Sequence, residues 1–547
     1  MYETAMKIIG DMPLNEREPL LELLSSDLSP SEFSAAVLNL EQLIDLSKYR
    51  PEIAEALIEA TGICDAVPEV YEDFRPVVYD GAFFILTGIS QARLLRIINA
   101  QFIVGMDVSP GERLIALVRD IPMLYKLGQI MARNPHIDEQ FRHWLTLLEG
   151  GLIHIDISTI RAIIEQEIGS DLHSRTLVLS DSVISEASVA SVVSFTLQEA
   201  EALSTGVFKV IKPDVPGFLD EDMKLLDALA EFYTKNRESY ALGDFKFTDT
   251  FKDVKYALSK EADLRNEQRN MKLAGEFYRH NRRIIIPQPQ PFSTKKVTAM
   301  QFIDGKKITE ADTDQKQCAV ELFNAVVTDC LFADAVDSLF HGDPHAGNIL
   351  IVKDARMGFR IALVDWSQTG TLTKMARASV LKLASGIITN NHSIILDAVN
   401  TLSEGGVGGG AALSAVIDEL SKPASGTTGG VMAGVMTDIM TGIMDRALNL
   451  LDRLVLRGVK FPADLLLFRK AVFTLNGVLL SLDPEFDQDS CLINYMFRLL
   501  AEEMPQRWFN VFFPYADSPF NYRSLMSNAE LFTLGVMLVT TRLRPVF

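Results

Sequence analysis

The chain has 547 residues, of which 48% are hydrophobic and 23% charged, a globular composition that excludes a fibrous or mainly disordered protein. At about 100–200 residues per domain, this length predicts two to four domains. The 52 basic residues stand against 72 acidic ones, and the formal net charge is −20. Because the mean field of such a chain repels phosphate backbones, we expect no nucleic-acid partner.

The cysteines are scattered and show no C-x-x-C spacing; they are Cys64, Cys318, Cys330 and Cys491. This pattern excludes a zinc ribbon and a disulfide framework, and it is typical of a reducing compartment. The N-terminus has no basic segment followed by an apolar one, so the sequence predicts no signal peptide. We therefore expect a cytoplasmic location.

The first part of the chain carries apolar residues at helical spacing and no recognisable chemistry. Residues 1–110 predict a helical domain with a packing or regulatory role. Residues 111–174 predict a further helical extension, and this extension contains Lys126-Leu127-Gly128-Gln129.

The next segment, 175–304, has short β-branched runs with turn-prone flanks, which predict strands around one longer helix. The strands are expected at Thr176–Leu179, Val207–Ile211, Ile284–Ile286 and Val297–Met300, and the helix at Asp253–Phe277. A mainly helical region, 305–490, and a helical tail, 491–547, follow. The sequence therefore predicts an α+β fold with a small β-rich lobe, a larger helical lobe and helical extensions at both ends.

Four apolar or flexible segments carry no clear chemistry. Gly405–Gly410 and Ser425–Gly430 predict surface loops, and methionines every four residues from Met432 to Met444 predict a helix–helix seam or an adaptable apolar groove. Leu531–Thr541 has no charge but is too short to span a bilayer. Its simplest interpretation is a buried helix, and the alternative is a segment that dips into a membrane or docks on a partner.

The strongest chemical signal is the run from His341 to Asn348, which has the spacing H-x-D-x-x-x-x-N of a phosphotransferase catalytic loop. In such a loop the aspartate, here Asp343, orients the acceptor oxygen and takes its proton. The asparagine, here Asn348, holds a magnesium ion on the phosphates.

A hairpin is predicted directly after this loop, with strands at Ile349–Val352 and Phe359–Val364. Its second strand leads to Asp365, where a phosphotransferase carries its main magnesium ligand. The loop, the hairpin and the second aspartate follow one another in the order found in phosphotransferases. We therefore do not attribute the H-x-D-x-x-x-x-N match to chance.

Upstream, Lys209 lies in the middle of an apolar strand, where an ammonium group is costly unless it meets anions. Phosphates and a carboxylate from the following helix would neutralise the positive charge of this ammonium group. That helix offers Glu261, Asp263 and Glu267, of which the first and last lie on different faces because six residues make about 1.7 turns.

Together these motifs resemble the UbiB (AarF) family of atypical protein-kinase-like proteins over roughly residues 111–490. The family's K-x-G-Q element is similar to Lys126–Gln129, its alanine-rich loop to Ser185–Ser191, its strand lysine to Lys209, and its E-x-D element and paired glutamate to Glu261, Asp263 and Glu267. The sequence departs from the usual pattern at Asp365-Trp366-Ser367, which stands where kinases have D-F-G, and at Ala346, where proline is usual.

The resemblance implies a two-lobed protein-kinase-like fold that binds ATP and Mg²⁺. It implies that Lys209, paired with Glu267, holds the α- and β-phosphates, and that Ala187, Ser188, Val189 and Ala190 cover them. Lys126, Gln129, Glu261 and Asp263 would form a family-specific gate across the site where a kinase receives a peptide. The family is linked to isoprenoid-quinone biosynthesis, so the implied partners are a nucleotide, a lipid or quinone precursor and the periphery of a membrane.

Three functions are compatible with the motifs. The first is a UbiB-like ATP-dependent phosphotransferase or ATPase. The second is a small-molecule kinase of the aminoglycoside or choline type, which lacks the elements at 126–129 and 261–267. The third is an ATP-gated module that binds a lipid or partner without phosphoryl transfer.

Overall fold

The structure is a computed structural model of the chain. It describes residues 2–24, 36, 45–67, 72, 75–104, 108–119, 121, 123–124, 156–174, 176–186, 189–199, 202–240, 251, 255, 258–259, 263–389, 391–404, 442–456 and 459–543. These residues divide between two compact units. The first contains Met1–Asn266 and Pro289–Phe302, and the second contains Glu267–Gln288 and Ile303–Phe547.

The first unit begins with helices, as expected for residues up to 110. They are α1 (Tyr2–Asp11), α2 (Leu14–Leu24), α3 (Arg50–Thr61), α4 (Arg75–Gly88), α5 (Gln91–Val104), α6 (Pro110–Arg119) and, further along, α7 (Ile157–Ser174) and α8 (Val215–Lys235). Helix α3 ends at Gly62, whose φ of 58° is the left-handed conformation that glycine adopts without strain.

These N-terminal helices do not form a core of their own. Their buried side chains share one hydrophobic cluster with α8 and with residues of the adjoining sheet, Val189, Ala190 and Ile211. A fully buried ion pair also joins α5 to α8, because the Arg93 guanidinium lies 2.7 Å from the Asp222 carboxylate. The second Asp222 oxygen accepts a hydrogen bond from the Met123 backbone.

The sheet of the first unit has four antiparallel strands in the order β1-β2-β3-β5. They are β1 (Thr176–Glu186), β2 (Ala190–Glu199), β3 (Ala202–Ile211) and β5 (Val297–Gln301). The predicted strands at Thr176, Val207 and Val297 are confirmed within longer elements, whereas β2 was not predicted. One face of this sheet packs with α7 in a second cluster that includes Phe195, Phe208 and Val297.

The second unit combines helices with short strands. The helices are α9 (Leu264–Phe277, whose first three residues belong to the first unit), α10 (Gln315–Phe323), α11 (Lys374–Ile388), α12 (His392–Leu402), α13 (Ile443–Leu456), α14 (Ala463–Leu482), α15 (Gln488–Phe512) and α16 (Asn528–Leu543). A π-helical turn, Asn324–Thr328, continues α10 before its last turn at Asp329–Leu331.

The strands of the second unit place the catalytic-loop residues. A four-stranded sheet has the order β4-β9-β8-β6, with β4 (Ile284–Ile285), β6 (Lys306–Lys307), β8 (Ile349–Asp354) and β9 (Gly358–Leu363). The predicted hairpin is therefore confirmed as β8 and β9, which pair from Ile349 opposite Leu363 to Asp354 opposite Gly358. Two further strands were not predicted: β7 (Asp337–His341), before the hairpin in sequence, and β10 (Thr369–Thr373), after it. They pair with each other in antiparallel fashion.

Among the described residues, one helix, α14, is long and apolar enough to cross a membrane by length and composition. The helices α4 and α5, which meet at 115°, would pass the same test only as a broken pair. The buried residues of α14 recur at helical spacing from Leu465 through Phe468, Val472 and Leu475 to Leu482. This stripe is the usual pattern of a core helix.

The C-terminal segment forms a helix, α16, but the interpretation of it as a buried helix is wrong for the side chains that the structure describes. None of the residues 528–537 is buried. The two glycine-rich stretches and Met432, Met436 and Met440 lie outside the described residues, whereas Met444 is buried in α13.

Candidate catalytic loop and metal site

His341 ends strand β7 and is fully buried beneath the catalytic loop. Its Nε2 lies 3.0 Å from the Val364 carbonyl oxygen, and its Nδ1 accepts a hydrogen bond from the Asp343 backbone N–H at 3.1 Å. Burial lowers the pKa of this imidazole below its ordinary value. The neutral tautomer that donates from Nε2 and accepts at Nδ1 satisfies both contacts, so His341 fixes the backbone at Asp343 to the chain before Asp365.

Asn348 closes the catalytic loop from its other end. Its Nδ2 donates to the Asp343 carbonyl oxygen at 3.1 Å, and its own carbonyl oxygen accepts from the Val364 N–H at 2.9 Å. Because Nδ2 is engaged in this way, Oδ1 is the side-chain atom suited to a metal ion. The loop between these residues is a 3₁₀ turn, Ala346–Asn348, and the His345 ring caps it by accepting from the Gly347 N–H.

Asp365 follows β9 in a left-handed backbone conformation, with φ of 58°. Only glycine adopts this region freely, although aspartate and asparagine tolerate it better than other residues. The Asp365 Oδ1 atom accepts a hydrogen bond from the Ser367 N–H at 3.2 Å, which supports the turn. A strained residue at this position is expected where a carboxylate must face a bound ion.

Trp366 anchors the strained turn from the core. The indole is fully buried, its Nε1 donates to the Leu363 carbonyl at 2.9 Å, and its ring meets the His341 ring edge-on at 4.6 Å. Asn270, on α9, donates from Nδ2 to the Trp366 carbonyl at 2.9 Å. Sequence reasoning noted Trp366 as a departure from D-F-G and missed this packing role.

Gly342 allows the loop to approach strand β10 closely. Its N–H donates to the Gln368 carbonyl at 2.9 Å, and a Cβ atom at this position would lie 3.0 Å from that same oxygen. Lys470, on α14, donates to the Gln368 side chain at 2.8 Å. The structure therefore brings Asp343 and Asn348 into one hydrogen-bonded assembly with Val364, which directly precedes Asp365. The metal-binding and catalytic roles of these residues stay predictions.

The other half of the predicted site lies on separate elements. Lys209 is in the middle of β3, opposite Val192 of β2 and Thr298 of β5, and only 8% of the residue is exposed. Lys209 belongs to the first unit, whereas Glu267, which is 2% exposed on α9, belongs to the second. Their pairing stays a prediction.

Asp263 requires a correction to the predicted helix Asp253–Phe277. The residue precedes α9, which begins at Leu264, and is not helical. Its carboxylate accepts from the Arg265 N–H at 3.0 Å and pairs with the Arg265 guanidinium, and these hydrogen bonds hold its pKa below the ordinary value. A side chain that bonds the backbone two residues on favours a helix start over its interior.

Several predicted site residues lie outside the described residues. They are Lys126, Gln129, Ala187, Ser188 and Glu261. The described end of the alanine-rich loop, Val189 and Ala190, has its side chains buried in the cluster shared with the N-terminal helices. The role of residues Ala187 to Ala190 in covering phosphates stays a prediction.

The donor set at the loop fits magnesium. Within the part of the chain that the structure describes, no three histidine, cysteine or acidic side chains group closely enough to hold a metal ion by themselves. Magnesium needs no such group, since it is commonly bound through one or two protein oxygens together with phosphates and water. The Asp365 carboxylate and the Asn348 amide oxygen supply two hard ligands of the required kind.

Comparison with known proteins gives one domain match: the ABC1 atypical kinase-like domain, over residues 148–399. The probable protein kinase UbiB of Actinobacillus pleuropneumoniae is 26% identical over 275 residues, which are 48% of this chain and 49% of that protein. The AarF domain-containing protein kinase 1 of Mus musculus is 25% identical over 271 residues, 48% of this chain and 50% of that one. The chain thus spans about half the length of these curated relatives.

Among solved structures, the Rv3197–erythromycin complex from Mycobacterium tuberculosis is similar, with a TM-score of 0.41 and 16% identity over 65% of this chain and 87% of that one. The domain match and the relatives confirm the predicted α+β, two-lobed protein-kinase-like fold. Residues 148–399 of this chain thus match the ABC1 atypical kinase-like domain, and these relatives support the resemblance to the UbiB/AarF family.

Proposed function

We propose that this chain binds magnesium-ATP and acts as an ATP-dependent phosphotransferase or ATPase. The observation that carries the proposal is the hydrogen-bonded assembly around Asp343. His341 and Asn348 hold the backbone of this residue from both sides, and both also hold Val364, which directly precedes Asp365. Such mutual positioning is what phosphoryl transfer requires of a protein, because the reaction depends mainly on placement and electrostatics.

In this proposal Asp343 orients the attacking hydroxyl or water and accepts its proton. The Asn348 amide oxygen and the Asp365 carboxylate hold the ion, which, when bound with ATP, neutralises charge on the transferring phosphoryl group. Neutral His341 takes no part in proton transfer, because its ring nitrogens serve backbone groups. The ammonium of Lys209 is the group proposed for the α- and β-phosphates, with Glu267 as its counter-ion.

The proposal is tested with the purified full-length chain. Magnesium-dependent ATP turnover and a magnesium-ATP-dependent rise in melting temperature are measured for the wild type, Asp343→Asn and Asp365→Asn. We expect Asp343→Asn to lose turnover but keep the thermal shift, and Asp365→Asn to lose both.

A matched control removes a carboxylate from the same hairpin but outside the loop. Asp354, in the β8–β9 turn, accepts hydrogen bonds from the Arg356 and Met357 N–H groups, and an asparagine can accept them as well. Asp354→Asn should behave as the wild type. Normal turnover in Asp365→Asn, or equal losses in the control, would exclude the assignment.

The acceptor is proposed to be a lipid or a quinone precursor, on the strength of the family resemblance. The same turnover assay is run with and without liposomes that carry isoprenoid-quinone precursors, and the lipid extract is analysed for phosphate. A phosphorylated lipid would establish a kinase of that class. Stimulated ATP hydrolysis without such a product would instead favour the ATPase form.

A further inference from the structure

A groove of the second unit lies between α10 and α15. Its volume is about 380 Å³, which is within the range of small-molecule sites. One wall is a stripe of residues along α15, and another carries Val320 of α10 and Asn324, the first residue of the π-helical turn. None of the lining residues belongs to the catalytic loop or to the β8–β9 hairpin, so the groove is separate from the candidate catalytic site.

The wall formed by α15 is mostly polar and follows one face of the helix. Its residues recur every three or four positions from the N-cap onward: Asp487, Ser490, Cys491, Asn494, Tyr495 and Arg498. Cys491 Sγ lies 3.7 Å from Asn324 Oδ1, so the two walls meet there. The π-helical turn that Asn324 begins is an element that recurs at functional sites.

The end of the groove beside the start of α15 is acidic. Asp487 uses its carboxylate to cap the helix. Asp483 Oδ1 accepts from the Glu485 N–H at 3.2 Å and lies 3.8 Å from the Lys316 ammonium. Within the described part of the chain, no hydrogen bond reaches Asp483 Oδ2 or the Glu485 carboxylate. Two carboxylates therefore keep acceptor capacity for a cationic group.

The other end of the groove is basic. The Arg498 guanidinium lies over the Tyr495 ring, 4.8 Å from its centroid, and forms no ion pair with the residues that the structure describes. Asp487 and Arg498 are separated by about 16 Å along the helix axis. Because long helical side chains lean towards the N-terminus, the two charged ends are roughly 10–12 Å apart.

Two aromatic rings line the groove between these ends. The Phe486 ring packs against Phe323, with centroids 5.8 Å apart, and the Tyr495 ring stacks on Phe332 at 5.5 Å. The Tyr495 hydroxyl also donates to Asp329 at 3.1 Å. These contacts hold both rings in place, and a preformed surface lowers the entropic cost of binding.

We propose that this groove binds an elongated zwitterion, a small molecule with an ammonium group at one end, a carboxylate at the other and an apolar body between them. The ammonium group meets Asp483 and Glu485, and the carboxylate accepts hydrogen bonds from the Arg498 guanidinium. The apolar body lies on Phe486 and Tyr495. A ligand with a single charge leaves one end of the groove without a counter-charge, so charge complementarity selects this class.

The test uses the full-length chain and the unbranched ω-amino acids of four, six and eight carbons, with affinity measured by titration calorimetry. The eight-carbon compound has an extended length comparable with the separation of the charged ends. It should bind at least about tenfold more tightly than the four-carbon compound. The eight-carbon monocarboxylate and the eight-carbon diamine should each bind at least about tenfold more weakly than the amino acid, because each lacks one charge-assisted contact.

Substitutions at Arg498 test the basic end. Arg498→Gln should weaken binding of the eight-carbon amino acid by about tenfold or more. Arg498→Glu should reverse the preference, so that the diamine binds more tightly than the amino acid. Arg446→Gln, which changes an exposed arginine of α13 outside the groove, is the matched control and should bind as the wild type. Equal melting temperatures would show that the variants keep the fold.

Cys491 supplies a second readout that locates the ligand. Burial raises the pKa of its thiol to about 11, so alkylation by a maleimide is slow enough to follow by mass spectrometry. The eight-carbon amino acid should slow this reaction further. Cys64, a half-buried free cysteine of the first unit, is the internal control and should react at an unchanged rate.

The proposal is overturned if none of the ω-amino acids binds, or if the monocarboxylate binds as tightly as the amino acid of the same length. It is also overturned if Arg498→Gln binds as the wild type, or if the bound ligand leaves the alkylation of Cys491 unchanged. It does not depend on nucleotide chemistry, so loss of ATP turnover would leave it unaffected.

Discussion

Asp365 combines two properties that substitutions can separate: a carboxylate proposed to hold magnesium and a left-handed backbone with φ of 58°. Alanine removes both the carboxylate and the hydrogen bond that the side chain accepts from Ser367. Asparagine removes the charge but retains an oxygen acceptor and a tolerance for this conformation. Glycine removes the side chain and adopts the conformation without strain.

The expected stabilities follow from these differences. The left-handed backbone costs alanine about 1 kcal/mol, and the lost hydrogen bond about another 1 kcal/mol. Asp365→Ala should therefore unfold with a free energy about 2 kcal/mol lower, a drop of about 5 °C in melting temperature for a unit of this size. Asp365→Asn should stay within about 0.5 kcal/mol of the wild type. Asp365→Gly should lie between Asn and Ala, since relief of strain offsets the lost hydrogen bond.

The assay is thermal unfolding of all three variants with and without magnesium-ATP. All three should lose the stabilisation by magnesium-ATP, whatever their intrinsic melting temperatures. Equal melting temperatures for Asp365→Ala and Asp365→Asn would refute the conformational argument. A wild-type response of Asp365→Asn to magnesium-ATP would refute the metal assignment.

Three further outcomes are expected. Asp343→Asn should lower turnover by about 10²–10⁴-fold, measured by phosphate release, while ATP affinity by titration calorimetry stays unchanged. The free energy of unfolding of the wild type should fall by up to about 1.4 kcal/mol per pH unit below about pH 6.5. The reason is that His341 binds a proton in the unfolded chain, whereas the buried ring, with its lowered pKa, does not. In urea titrations at several pH values, His341→Gln should lack this contribution to the pH dependence. Arg93→Met should cost about 3–5 kcal/mol in urea titrations by leaving Asp222 buried and unpaired, and adding Asp222→Leu should restore most of it.

The catalytic loop was predictable because its chemistry is local in sequence. The spacing from His341 to Asn348 and the hairpin to Asp365 together place the candidate metal-binding residues on adjacent turns, and a short segment with tight turns has few alternatives. The partner of Trp366 was not predictable in this way. Asn270 is 96 residues away, and only the three-dimensional packing shows that its amide meets the Trp366 carbonyl.

The other differences lie in elements of the first unit and at the C-terminus. Strand β2 has the period-2 pattern of a half-buried strand, since buried Val193, Phe195 and Leu197 alternate with polar residues. Its sequence therefore does favour a strand, and the prediction overlooked this pattern. The predicted helix Asp253–Phe277 is interrupted at Asp263, although Lys255, Leu258 and Ser259 are helical as predicted. The interruption was missed because composition does not show that the Asp263 carboxylate accepts a hydrogen bond from the Arg265 N–H. The burial of α16 was misjudged because an apolar run reads the same whether or not the rest of the chain covers it.

The hydrophobic cluster that joins the N-terminal helices to Val189, Ala190 and Ile211 has a consequence for how the chain can be divided. In a shortened protein that starts near residue 111, the apolar side chains at the strand ends that flank the alanine-rich loop would lose their packing partners and become exposed to solvent. Substitutions deep in α3 or α5 should accordingly produce biochemical defects that resemble active-site lesions, even though none of those residues carries reactive groups. The helical segment and the β-rich lobe would then have to be inherited together and could not be exchanged between relatives as interchangeable parts.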